Sequence, residues 1–184
     1  MKKLFFISIF LLSYQLFAQK AHFFIKGGVD YNFITAGAIN RVGYEKNKYL
    51  FSGYLVGFGF ISEDSSVDFD YADLKTKAKL NGRDSDLKIS IFTISLLIGR
   101  ALSYPLAGGI RADMNIGFSS SNVYGTLSLG PEIGIFLTRN IGFYAAGMLN
   151  LGIISQSAKI NDIPERSSGL SSGPEIKTGI KIIF

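Results

Sequence analysis

Apolar and polar residues alternate with a period of two through most of this chain, and the alternation is strictest over its last eleven residues, Pro174 to Phe184. There Ile176, Thr178, Ile180, Ile182 and Phe184 share one face, while Glu175, Lys177, Gly179 and Lys181 share the other. A period of two is the signature of a strand with two unlike faces. Seven earlier segments read the same way, separated by breaks rich in Gly, Asn, Asp, Ser or Lys, with no helical stripe between them. The chain is therefore predicted to be all-β.

The first segment, about His22 to Phe33, sets Phe23, Ile25, Val29, Tyr31 and Phe33 against Lys26, Gly28, Asp30 and Asn32. The second, Tyr49 to Phe60, sets Leu50, Tyr54, Val56, Phe58 and Phe60 against Gly53, Gly57 and Gly59. In the third, Val67, Phe69 and Tyr71 alternate with Asp68 and Asp70, and the pattern dissolves into the lysine-rich stretch Lys75 to Arg83. The fourth, Leu87 to Gly99, is apolar on both faces near its end, so its faces cannot be assigned.

The fifth segment, Leu106 to Phe118, places Ile110, Ala112, Met114, Ile116 and Phe118 opposite Gly109, Arg111, Asp113 and Asn115. The sixth, Val123 to Leu137, opposes Leu127, Leu129, Ile133 and Ile135 to Thr126, Ser128, Glu132 and Gly134. Pro131 lies mid-strand and has no N–H to donate, so a bulge or a weakened pairing is expected there. The seventh, Ile141 to Ile153, and the terminal strand complete the set.

An end strand with one apolar face is an aggregation hazard in water, whereas a closed barrel in lipid has no edge and presents that face to hydrocarbon. A soluble lipocalin-like barrel alternates too, with its apolar side inward. Composition separates the two. The apolar face carries long branched and aromatic chains on nearly every strand, more bulk than an eight-stranded interior holds, while the polar face is rich in glycine. The expected fold is thus an eight-stranded antiparallel up-and-down transmembrane β-barrel spanning residues 19–184, preceded by a signal peptide.

That signal peptide is read from Met1 to Ala18, with a basic start at Lys2 and Lys3, an apolar stretch from Leu4 to Leu12, and Leu-Phe-Ala before Gln19. The apolar stretch falls well short of the roughly 20 residues of a spanning helix. Short turns are expected near Glu63-Asp64, Leu102 to Tyr104 and Thr138 to Asn140, on the periplasmic side. Longer outer loops are expected at Ile34 to Lys48, Ala72 to Asp86 and Ser155 to Gly173, with a tight exception near Ser119 to Asn122.

Charge refines the picture. Within the inferred lumen Lys26, Lys88, Arg111, Lys177 and Lys181 face Asp30, Asp68, Asp70, Asp113, Glu132 and Glu175, nearly one for one. Ions between low-dielectric walls need partners, so this balance predicts a paired network that plugs the barrel. A charge-selective pore would show an excess of one sign. A turn centred near Ser121 would set Arg111 opposite Glu132, and closure of the first strand on the eighth would bring Lys26 and Asp30 near Glu175, Lys177 and Lys181.

The signal end at Phe17 to Gln19, the opening Ile25 to Asp30, the run Gly53 to Phe60 and the closing Lys177 to Phe184 together resemble the outer-membrane β-barrel domain widespread in Bacteroidetes. In architecture the chain is similar to the small eight-stranded OmpA and OmpX barrels. The resemblance implies location in the outer membrane of a Gram-negative bacterium, and handling of Ile180, Ile182 and Phe184 by barrel-assembly machinery, although the same residues read equally well as plain lipid-facing wall. It brings no catalytic residues with it.

Other chemistry is sparse. The net charge of +5 falls to +3 without Lys2 and Lys3, a weak basis for nucleic-acid binding. One histidine and no cysteine argue against a transition-metal site, and no cofactor is expected. His22 belongs at the periplasmic end, away from the outer-leaflet lipid that a lipid-modifying enzyme would act on. Asp68 with Asp70, and Asp84 with Asp86, are spaced to share a face and reach calcium, but carboxylates two apart are common on solvated strand ends, and that is the favoured reading. The expected function is a non-enzymatic barrel with a structural or interaction role through its extracellular loops. The alternatives are a narrow porin-like channel, a lipid-modifying enzyme and a soluble periplasmic binder. Candidate partners are outer-membrane lipid, lipopolysaccharide phosphates or an unknown protein.

Overall fold

In a computed structural model, which describes residues 21–36, 48–80, 83–119, 122–160 and 163–184, eight strands close into one antiparallel barrel in sequence order. They are β1 (His22–Ala36), β2 (Lys48–Ile61), β3 (Ser65–Leu80), β4 (Arg83–Arg100), β5 (Leu106–Phe118), β6 (Asn122–Phe136), β7 (Ile141–Ile160) and β8 (Ile163–Ile183). Closure comes from β1 and β8, whose register sets Phe24 opposite Ile183 and Asn32 opposite Glu175. The Phe184 amide donates to the Phe23 carbonyl at 2.8 Å, so the last residue is held by the same ladder. The expected signal segment and most of the first long loop lie outside the described residues.

Two of the expected long loops are strands. The β3–β4 ladder continues through Lys75–Lys88, Lys77–Asp86 and Lys79–Asp84 to Leu80–Arg83. The β7–β8 ladder likewise runs on to Ile160–Ile163. The lysine-rich stretch breaks the apolar pattern without breaking the sheet, because cross-strand pairing of opposite charges supports a ladder as apolar pairs do. The barrel wall is therefore taller on these two hairpins than the apolar alternation implies.

Pro131 produces no bulge. The β6–β7 register is the same on either side of it, from Leu129–Leu149 to Glu132–Ala146, and pairing simply lapses across Gly130 and Pro131. Pro174 has the same effect on the β1–β8 seam, where pairing stops at Asn32–Glu175 and resumes at Thr35–Ser172. Each proline points outward and follows a lumen-facing glycine that packs against the neighbouring backbone. A Cβ on Gly173 would lie 1.6 Å from the Phe33 carbonyl oxygen.

The outer face is apolar around the barrel. Phe58, Phe92, Ile110, Leu129, Leu149 and Ile180, from six different strands, are all exposed, and Leu149 is 72 % exposed. An apolar surface on this scale suits hydrocarbon rather than water. The interior is layered. Next to the start of β1 and the end of β8 it holds Phe24, Ile61, Leu97, Ala101, Phe136 and Ile183. Toward the far end it holds a larger apolar layer that includes Ile34, Phe51, Leu55, Leu74, Leu87, Ile89, Ile91 and Ile154. Ionised side chains occupy the waist between them. Glycines on the lumen face make room for this filling: a Cβ on Gly57 would strike the Asp70 carboxylate, and one on Gly142 the Phe136 ring.

The glycines give a paired test. Gly173→Val should prevent closure and abolish the heat-dependent shift in gel migration of the refolded barrel. Gly147→Val, where an added Cβ meets nothing within 4 Å, should refold and shift like the parent protein.

Candidate functional site: an ionic waist in the lumen

Arg111 projects inward from β5 and is fully buried. Its Nη1 lies 2.8 Å from Asp68 Oδ2 and 2.8 Å from Glu132 Oε2. Its Nη2 lies 3.1 Å from Asp70 Oδ2 and donates to Ser95 Oγ on β4. Its Nε lies 2.7 Å from Asp113 Oδ1 on its own strand. One guanidinium thus ties β5 to β3, β4 and β6. Only a planar fork of five N–H donors serves so many acceptors from one position.

Each ammonium completes part of the web. Lys26 on β1 reaches across the lumen to Asp68 at 2.6 Å and Asp70 at 2.8 Å. Lys177 on β8 meets Asp113 at 2.6 Å and Glu175 at 3.0 Å. Lys181 meets Glu132 at 2.5 Å and lies over the Tyr144 ring at 5.1 Å. The web continues into neutral groups. Glu175 accepts from Ser128 at 2.7 Å, Ser128 from Asn115 at 2.9 Å, and Asn115 accepts from Thr93 at 2.7 Å. Above these, Asn150 donates to Asn32 at 2.8 Å and Asn32 to the Tyr124 hydroxyl at 3.2 Å.

Of the residues singled out in the sequence, Lys26, Arg111, Asp113, Glu132, Glu175, Lys177 and Lys181 meet in this web. Asp30 is buried beside Lys177 in the ladder, yet its Oδ1 has no hydrogen-bond partner. Arg111 and Glu132 touch, but they are not directly opposite: Arg111 faces Gly130, and Glu132 faces Gly109. An offset of two residues keeps both side chains on the lumen face, where diagonal neighbours still reach each other.

Lys88 is the correction. It is exposed on the outer wall, directly opposite Lys75, because Leu87, Ile89 and Ile91 turn inward. Among the described residues the lumen therefore holds Lys26, Arg111, Lys177 and Lys181 against six buried carboxylates rather than a near balance. The inward groups of β4 that sequence reading missed, Thr93 and Ser95, follow from register. They stand opposite Asp70 and Asp68, so placing those aspartates inside places them inside too.

The terminal residues Ile180, Ile182 and Phe184 face outward, and the Phe184 ring lies 6.0 Å from that of Phe23. His22 is exposed at the start of β1, opposite Ile61 and apart from the web. Asp68 and Asp70 are engaged by cations, whereas Asp84 and Asp86 lie exposed opposite Lys79 and Lys77. Among the described residues no group of three or more His, Cys, Asp or Glu is arranged to hold a metal ion.

No family model and no curated protein matches the chain. Solved structures do. The outer membrane protein OprG from Pseudomonas aeruginosa is similar with a TM-score of 0.56 at 15 % identity, over 90 % of this chain and 97 % of that one. Neisserial surface protein A gives 0.55 at 16 % identity, over 90 % and 100 %. The outer membrane protein AlkL, solved in DMPC lipid bilayers, gives 0.53 at 12 % identity, over 90 % and 91 %. At such identities the likeness concerns the fold: this chain has the fold of the small eight-stranded outer-membrane barrels. The Bacteroidetes domain gains no support from these neighbours.

Arg111→Met should leave Asp68, Asp70, Asp113 and Glu132 short of a cation and destabilise the barrel by about 3–5 kcal/mol. Urea unfolding in detergent micelles measures this. Lys26→Met should cost clearly less, because Asp68 and Asp70 keep Arg111.

Proposed function

We propose that the chain is a non-enzymatic outer-membrane barrel of a Gram-negative bacterium, sealed through its middle, that acts as a structural or interaction protein through its extracellular end. The observation that carries this reading is Arg111, which lies within ion-pair distance of four carboxylates drawn from three strands. A side chain so held occupies the waist, and apolar layers lie on either side of it. The orientation follows from the turns. Those next to the termini are short, and the hairpins that rise higher are at the other end, which is the usual arrangement of periplasmic turns and outer loops.

On this reading barrel-assembly machinery engages β8 during insertion, and Ile180, Ile182 and Phe184 serve both as part of that signal and as lipid-facing wall. A narrow cation channel is the second reading, favoured by the excess of carboxylates over cations in the lumen. Planar-bilayer recording separates the two. The purified barrel should give no discrete current steps in salt solution, and regular cation-selective steps would replace the sealed reading with the channel.

A further inference from the structure

The outward face of the β3–β4 hairpin forms a graded ladder. Phe69 stands opposite Ile94 and Tyr71 opposite Phe92, with the latter rings 5.2 Å apart. Asp73 then faces Ser90, Lys75 faces Lys88, Lys77 faces Asp86 and Lys79 faces Asp84. The first two rungs belong to the apolar wall, and the last two match each lysine with an aspartate. Between them, two rungs beyond the aromatic pair and next to Asp73–Ser90, two lysines confront each other.

Like charges directly opposite on a sheet repel. The other such rung among the described residues, Lys26 opposite Lys181, is resolved by carboxylates inside the lumen. Lys75 and Lys88 have nothing equivalent. Both are exposed, neither makes an ion pair among the described residues, and the residue opposite Lys75 on β2 is Ser52. Asp73, one rung nearer the apolar wall, accepts from the Tyr54 hydroxyl and from Ser90 Oγ, each at 3.4 Å, and offsets no more than one of the two charges.

We infer that the Lys75–Lys88 rung binds a phosphate of a phosphorylated glycolipid in the outer leaflet, an inference that rests on the membrane reading above. Three observations select this occupant. The rung lies just beyond the apolar rungs of this hairpin, at the depth of head groups, and an aromatic pair two rungs below it is the usual marker of that boundary. It lies at the end of the barrel away from the termini, hence in the outer leaflet. Immediately beneath it Tyr54, Asp73 and Ser90 offer hydroxyls and a carboxylate suited to sugar hydroxyls, which a simple phospholipid head group would use less fully.

The test uses the barrel in phosphatidylcholine nanodiscs doped with bis-phosphorylated lipid A, dephosphorylated lipid A or phosphatidylglycerol, and native mass spectrometry of the lipid it retains. The parent protein should retain bis-phosphorylated lipid A about tenfold better than either of the others, and the double variant Lys75→Gln/Lys88→Gln should lose that preference. Lys77→Gln/Lys79→Gln should keep it within about twofold, since each of those lysines is matched within the ladder. Equal retention of phosphatidylglycerol overturns the glycolipid as occupant, and equal loss in both double variants overturns the specific rung. Heat-dependent gel migration is followed for every protein. A barrel that folds but does not enter nanodiscs contradicts the membrane reading instead.

Discussion

The structure depends on one buried guanidinium. Burying an arginine costs several kcal/mol in lost hydration, and the loss is offset only where geometry supplies nearly every donor with an acceptor. Arg111 has Asp68, Asp70, Asp113 and Glu132 within 3.1 Å and Ser95 besides. These groups come from β3, β4, β5 and β6, so satisfying the charge fixes the relative register of half the barrel. An interior committed to ions cannot also bury the apolar faces of its strands. Those faces must turn outward, and the solvent they require is hydrocarbon. Inverted polarity is thus a consequence of the ionic waist.

The waist does not fill the lumen. The layers on either side of it, Phe24, Leu97, Phe136 and Ile183 near the start of β1 and the end of β8 and Phe51, Leu74, Ile89 and Ile154 toward the far end, are as buried as a soluble core. They keep bulk water from the ion pairs, which raises the strength of each pair and the penalty for leaving any one of them incomplete. Glycine on the lumen face is the geometric counterpart. Where Asp70 and Phe136 need space, Gly57 and Gly142 provide it.

Strand number, barrel closure and the inward set on β1, β5, β6 and β8 were legible in the sequence because there the two faces differ in kind, as Lys177 and Lys181 differ from Ile176 and Ile180. The fourth strand was not. Leu87, Ile89, Ile91 and Leu97 lie inside, while Phe92, Ile94 and Ile98 lie outside, so hydropathy carries no contrast between its faces. The apolar layers inside the barrel create this ambiguity, and they also sent Lys88 to the wrong side. The hairpins beyond Tyr71 and Ile153 were hidden for another reason. Above the lipid a strand needs no apolar face, and its pairing is written in charge complements such as Lys77–Asp86. The Arg111–Glu132 contact was anticipated as a directly opposed pair. The diagonal geometry that joins them depends on a turn whose length the apolar pattern does not encode.

The central claim is that apolar side chains face lipid while ions occupy the axis, and β6 tests it most directly because its two faces contrast along its length. The chain has no cysteine, so single cysteines can be placed one at a time along the strand. With an environment-sensitive fluorophore attached in bilayers that carry a lipid-bound quencher, Leu127, Leu129, Ile133 and Ile135 should be strongly quenched. Thr126, Ser128 and Glu132 should be protected both from the quencher and from water-soluble thiol reagents. A quenching pattern of the opposite phase, with Ser128 and Glu132 reached from lipid and Leu129 and Ile133 protected, would contradict the account.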